Sequence, residues 1–347
     1  MKTIIGITAA LLTCMMLSCE NLNDDPALFP SGEGFFVLNE GNFMSGNGSV
    51  SFYSTETHEI YNNLFRGINQ RALGDVPSFI AADGNTGYIV VNNSGTIEVV
   101  DIHTMESIGT LTGLSSPRQM VIYGRKGFVS SLLSDELTVI DLDSREIAGT
   151  LNIGCSSEAM VICQGKLFIA NWSGGNKIVV ADPGSEEVMS TITVGLEPES
   201  MVVDKNNILW VLCTGGWAGE EVPRLTKINA VTLEKEAEIF FSSVDNPSSL
   251  TSNASGDTLY FLDGGVRRMP VTALSLPEET FIPAGDRLFY RLSASGTGGK
   301  VYVTDAIDYQ QKGVFFVYNK LGELEDTEEA GIIPGFMLFM PDQSLFK

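Results

Sequence analysis

Three charged residues recur at nearly one interval. Arg118, Glu158 and Glu199 stand 40 and 41 residues apart, each directly after a Pro or Ser that opens a short apolar run. Amide, acidic and aromatic residues recur too, each set following a run such as "FFVLN", "GYIVV", "KLFIA" or "ILWVL". The sets are Asn39, Glu40, Asn42 and Phe43; Asn92 and Asn93; Asn171 and Trp172; Trp217; Asp263; and Asp308 with Tyr309. Aromatic faces stack on a flat ligand, and amide donors and acceptors fix its orientation. The combination therefore suits recognition of a large ring edged with polar groups. Trp172 and Trp217 fall at equivalent places in successive units, whereas Trp210 lies inside an apolar run and is expected in the core. Two structural alternatives stand beside this reading: the loop tryptophans pack down as lids, and Arg118 pairs with Glu158.

Catalytic patterns are sparse. The two histidines, His58 and His103, sit in polar turns, and neither belongs to an HxH or HxxxH cluster. There is no GxSxG, EF-hand loop or phosphate-binding glycine loop. "TGGWAG" at 214–219 follows a strand-like run without opening a helix, so it does not read as a phosphate cradle. Glu158 and Glu199 are the carboxylates that acid/base chemistry would call on. The expectation is a non-enzymatic protein with no catalytic cofactor and no metal, with a divergent hydrolase as an alternative.

The elements that must position these residues are repeats. "PSFIAADGNTGYIVVNNSGTIEVVDIHTMESIGTLTGLS" (77–115) and "PRQMVIYGRKGFVSSLLSDELTVIDLDSREIAGTLNIGC" (117–155) match in pattern almost residue for residue. Unit starts fall at 77, 117, 157, 198, 247, 289 and 334, with successive spacings of 40, 40, 41, 49, 42 and 45. Each unit reads as four short strands rich in β-branched and aromatic residues, separated by Gly/Asn turns. A period in the forties with this content predicts an all-β, seven-bladed propeller with four-stranded antiparallel blades. The last fragment, "PGFMLFMP", is a first strand without a blade, and "GFFVLNEG" near the start is a second strand without a predecessor. Pairing the two closes the ring and removes its sheet edges. In such a ring the loops after second strands share one face with the inter-blade links, and Arg118, Glu158 and Glu199 should ring the central channel. Ser54, Asp101, Asp141, Asp182, Asn229 and Asn319 each follow a third strand, and Asx- or ST-turns explain them better than a metal site spread over separate blades.

The N-terminus is read as processed. "MKTIIGITAALLTCMMLSCE" has a basic start at Lys2 and an apolar run from Ile4 to Leu17, too short to span a bilayer and suited to a signal peptide. Met16-Leu17-Ser18-Cys19 resembles a bacterial lipobox, which implies cleavage after residue 18 and lipidation of Cys19. A flexible tether follows over 19–33, and the propeller is expected as one domain over 34–347. Loss of Lys2 would take the net charge from −22 to −23. That balance excludes nucleic acid and anionic membrane surfaces as partners, leaving the lipid as the one membrane contact. Cys155, Cys163 and Cys213 form no CxxC and are expected as small buried hydrophobes.

The units "GYIVVNNSGTIEVVDIHTMESIGTLTG" and "KLFIANWSGGNKIVVADPGSEEVMSTITVG" resemble YVTN-type propeller repeats, closely over 77–197 and more loosely elsewhere. The lipobox, the acidic tether, "FFVLNEGNFMSGNGSVSFYS" and the blades that follow are together similar to surface lipoproteins of gut Gram-negative bacteria that capture cobalamin (vitamin B12). The resemblance implies a corrinoid ligand, a TonB-dependent outer-membrane transporter as partner, and an outer-membrane, surface-exposed location. It places no binding residues; those above come from their positions in the repeat. An interaction scaffold without a small ligand is the alternative of another class.

Overall fold

The computed structural model describes residues 32–294 and 296–339. The leader, Cys19, the tether up to residue 31 and residues 340–347 lie outside the described residues.

Seven four-stranded antiparallel sheets are arranged as the repeat requires. The innermost strands of blades 2 to 7 are Pro77–Asp83, Pro117–Tyr123, Met160–Cys163, Pro198–Val203, Ser248–Ser252 and Phe289–Ser293. Blade 1 is built from both ends of the chain. Its innermost strand, Pro334–Phe339, pairs with Gly34–Asn39 in the register Phe35↔Phe339, Phe36↔Leu338 and Val37↔Met337.

Strand position dictates composition. Second strands, covered on both sides by neighbouring blades, are buried along all or nearly all of their length, as in "ILWVLC" (Ile208–Cys213). Outermost strands such as Glu146–Asn152 are exposed along most of their length. The buried side chains form seven clusters, one at each blade–blade interface; Tyr88 and Val90 of blade 2, for example, pack with Met120 and Val129 of blade 3. The closing interface is aromatic, with Phe35 packed against Tyr53, Tyr302, Phe315 and Phe339 at centroid distances of 4.6–5.3 Å. Trp210 is fully buried, and its Nε1–H donates to Asp204 Oδ2 at 3.0 Å.

In six of the blades the polar residue after the third strand does what turn chemistry predicts. Ser54 Oγ and one Oδ1 of each of Asp101, Asp141, Asp182, Asn229 and Asn319 accept backbone N–H groups two to four residues on. The N–H groups of Ser144 and Asp143, with the Ser144 hydroxyl, hold the Asp141 carboxyl below its usual range. Cys163 and Cys213 are buried and Cys155 partly so, all as free thiols. Burial pushes the Cys213 thiol up to about 12. One element is not legible as a repeat. Blade 1 has an outermost strand of only two residues, Ile60–Tyr61, and a six-residue helix, Leu64–Asn69, drives Leu64 and Phe65 into the interface with blade 2.

Candidate functional site at the mouth of the central channel

Antiparallel alternation puts the loops after second strands, the inter-blade links and the heads of the innermost strands on one face. At its centre a cavity of about 570 Å³ is walled deeper down by Phe79, Met160, Met201, Leu250, Phe336 and Leu338. Polar side chains gather at the strand heads. The Arg118 guanidinium donates Nε and Nη2 to Glu158 at 2.7–2.9 Å, while Ser78 Oγ donates to the Arg118 carbonyl. Arg291 Nη1 donates to Glu199 Oε1 at 3.0 Å, and the Ser249 N–H donates to Glu199 Oε2 at 3.0 Å. Tyr290 Oη donates to Glu40 Oε1 at 2.8 Å. The Arg291 guanidinium lies 5.0 Å over the Tyr290 ring, whose edge meets Tyr309 at 5.8 Å.

The electrostatics are mutual. Burial alone would lower the Arg118 pKa, but the charge and hydrogen bonds of Glu158 raise it above its ordinary value. Burial opposes the Arg291 charge likewise, and Tyr290, Glu199, Glu40 and Glu158 more than restore it. Burial, with Glu40 beside it, pushes the Tyr290 phenol well up, so it stays a hydrogen-bond donor. Three carboxylates and two guanidiniums thus form a nearly neutral polar ring over an apolar shaft. Such a ring can orient a polar ligand edge by hydrogen bonding. Arg118, Glu158 and Glu199 sit at the channel as their shared register predicts, and the first of the three is ion-paired to the second. Glu40, Tyr290 and Arg291 complete the ring. The unit starting at Phe289 was the signal for the latter two, because Leu292 pairs with Val303 as Met120 pairs with Val129, which brings Tyr290 level with Arg118.

The loops divide into structural and open residues. Asn92 and Asn171 have their amide donors committed to the fold. Both are buried, with Nδ2 of Asn92 donating to Ser116 Oγ and the Pro117 carbonyl at 2.9 Å, and Nδ2 of Asn171 donating to the Ser156 carbonyl at 3.0 Å. Their amides satisfy backbone where the chain turns into an innermost strand, which is the usual fate of a buried amide. Asn39 is buried against Ser49, Ser51 and the Gly331 N–H. Asn93 donates to Asp75. Asn42 Nδ2 donates to the Tyr309 carbonyl at 2.9 Å and ties the loops of blades 1 and 7 together. Asp308 Oδ1 accepts the N–H groups of Gln310 and Gln311 at 2.9 and 3.0 Å, which lower its pKa. Asp263 sits in a tight turn 3.6 Å from Arg267; burial first, and then Asp245, raise its pKa. Trp172 is half-buried. Trp217 is 95% exposed and Phe43 66%, so neither is a packed lid. Tyr309 is partly exposed at the mouth itself. Among the described residues no group of three or more His, Cys, Asp and Glu is placed to hold a metal ion.

Solved propellers share this architecture. A quinonprotein alcohol dehydrogenase-like protein from Bacteroides thetaiotaomicron is 16% identical, with a TM-score of 0.68 over 89% of this chain and 78% of that one. A candidate 6-phosphogluconolactonase from Bacteroides fragilis is 15% identical, with a TM-score of 0.66 over 90% and 100% of the two chains. A dihydro-heme d1 dehydrogenase in complex with DHE is 12% identical, with a TM-score of 0.58 over 92% and 76%. At these identities the likeness shows the fold alone, which hosts unrelated activities. No curated protein matches the sequence. Residues 33–310 match one family, and the chain belongs to it: the family described as Domain of unknown function (DUF5074).

Proposed function

We propose that this propeller binds a corrinoid of the cobalamin type on its channel-mouth face and passes it to a TonB-dependent transporter, while lipid on Cys19 tethers it to the outer membrane at the cell surface. In this reading the protein is a binder and not an enzyme, and cobalamin is its cargo. The observation that carries it is the exposure of Trp217, Phe43 and Tyr309 on the face that holds the polar ring. Leaving large aromatic surface in water is unfavourable unless something covers it. A macrocycle offers flat faces to such rings and polar edges to Arg118, Glu158, Glu199, Arg291 and the phenol of Tyr290. The same exposure, extended by Val244 at 87%, favours a second reading: a docking face for a protein partner with no small ligand.

A titration separates the two. Cyanocobalamin should co-elute with the purified full chain as a red complex. Trp217→Ala should weaken binding by roughly 1–3 kcal/mol, the range for a truncated aromatic anchor, with an unchanged denaturation midpoint because Trp217 is almost wholly exposed. Trp172→Ala should weaken binding in the same direction. In the same preparation Cys19→Ala should leave the outer-membrane fraction, since no helix among the described residues is long and apolar enough to cross a membrane. No co-elution of cobalamin with the wild type would move the assignment to the protein-docking reading.

A further inference from the structure

A larger cavity, of about 710 Å³, lies on the same face but away from the channel, between the helix Leu64–Asn69, the loop at Gly46–Ser49 and the outer strands of blade 7. Its lining is anomalous for this chain. The protein carries a net charge of −22, yet Arg66 and Lys312 are the only charged residues lining the cavity. A basic concavity on so acidic a protein concentrates anions locally against the long-range field.

The side chains there differ in how far the fold has used them. Asn62 is spent, with Nδ2 donating to the Glu329 carbonyl at 2.8 Å and Oδ1 accepting from Ser51. Asn47 is half-spent on Asn42. Asn63, at the head of the helix, makes no capping bond with its side chain. Gln70 uses only its Nε2, towards the Gly67 carbonyl. The Arg66 guanidinium is exposed and has, among the described residues, neither a carboxylate partner nor a hydrogen bond. Lys312 has Glu329 at 2.8 Å, but both side chains are more than half exposed, so the pair costs little to open. Two cations, the Asn63 amide and the Gln70 Oε1 therefore face one concavity, with Asn47 and Asn62 held by the fold.

We infer that this groove is a second ligand site, for a saccharide carrying an oxyanion. Arg66 and Lys312 take the phosphate or carboxylate, and Asn63 and Gln70 read sugar hydroxyls. A planar guanidinium fits either oxyanion, amides supply the paired donors and acceptors that a polyol needs, and the volume accommodates one or two rings. The site shares no lining residue with the channel mouth, so it stands or falls independently of the corrinoid reading.

Titration calorimetry on the full chain at low ionic strength tests it, with D-glucose 6-phosphate, D-glucuronate, D-glucose and inorganic phosphate as probes. At least one anionic sugar should bind about tenfold or more tighter than both glucose and phosphate, and added salt should weaken it. Arg66→Ala should reduce that affinity about tenfold while Arg66→Lys retains part of it, as expected for a charge-assisted contact. The denaturation midpoint should not move, because Arg66 is exposed. Preference for the phosphate or the carboxylate sugar identifies which oxyanion the groove takes. Anionic sugars that bind no better than glucose and phosphate would overturn the proposal, as would wild-type affinity in the Arg66→Ala/Lys312→Ala double variant.

Discussion

Deleting residues 331–347 leaves a chain that aggregates or fails to fold. Terminal segments usually tolerate truncation because few contacts hold them, but this one carries the innermost strand of blade 1. Without Pro334–Phe339, the strand Gly34–Asn39 becomes an open edge made of "GFFVLN", fully buried in the intact protein. An apolar unpaired edge is a template for pairing with other chains. The deletion also removes Phe339 from Phe35 and Tyr302, at 4.6 and 5.1 Å, and Phe336 from Phe79 at 4.1 Å. The loss therefore reaches both neighbours of blade 1 and unlocks the whole ring. Size-exclusion chromatography and urea denaturation of the truncated protein read the outcome. A monomer with the wild-type transition would show that closure by the chain ends is dispensable.

Trp210→Ala should cost about 3–5 kcal/mol of folding stability, the range for truncating a buried Trp or Phe. Trp210 is fully buried between blades 5 and 6, among Leu212, Leu225, Leu259 and Phe261. Its removal leaves a cavity that rigid strands on both sides cannot close. It also takes one hydrogen bond from Asp204, a carboxylate 5% exposed, although the N–H groups of Asn206 and Ile208 remain on Oδ1. Trp210→Phe separates the two losses, since it keeps most of the volume and removes only the indole donor. The midpoint of denaturation should fall with little change in slope. An unchanged midpoint for Trp210→Ala would mean the blade 5–6 interface can repack. Trp217, seven residues on, gives the opposite expectation, with ligand affinity as the readout and stability unaffected.

Much of the molecule was legible because its causes are local and repeated. Strand alternation, the glycine and asparagine turns and the polar residue after most third strands act within a few residues, and successive units restate them. The period, the blade count, the Asx- and ST-turns, the core position of Trp210 and the pairing of "PGFMLFMP" with "GFFVLNEG" all follow from that repetition. The first strand of the seventh blade, "FYRLS", lacks the opening proline and carries Tyr290 and Arg291 near the positions of Ser78, Arg118, Glu158 and Glu199 in other blades.

What the sequence could not decide is which side chains meet across the ring. Glu40 reaches Tyr290 across 250 positions of chain, and Arg291 reaches Glu199 across 92. These partners lie on different blades, and only closure and the bulges at the heads of the innermost strands bring them to one mouth. Asn92 and Asn171 look like open loop amides in sequence. In the fold they are turned inward, because backbone groups at the turn into an innermost strand lose water on burial and must be satisfied by something close. Trp217 and Trp172 occupy equivalent loops, yet one stands in solvent and the other is half-buried, since the longer blade 5 loop lifts its tryptophan clear of the sheet. The basic groove is likewise a product of tertiary structure: Arg66 and Lys312 are 246 residues apart in the sequence, and only the docking of the first blade against the last brings them to one cavity. Periodicity along the chain determines the ring; the chemistry of its face comes from contacts between blades that no local pattern encodes.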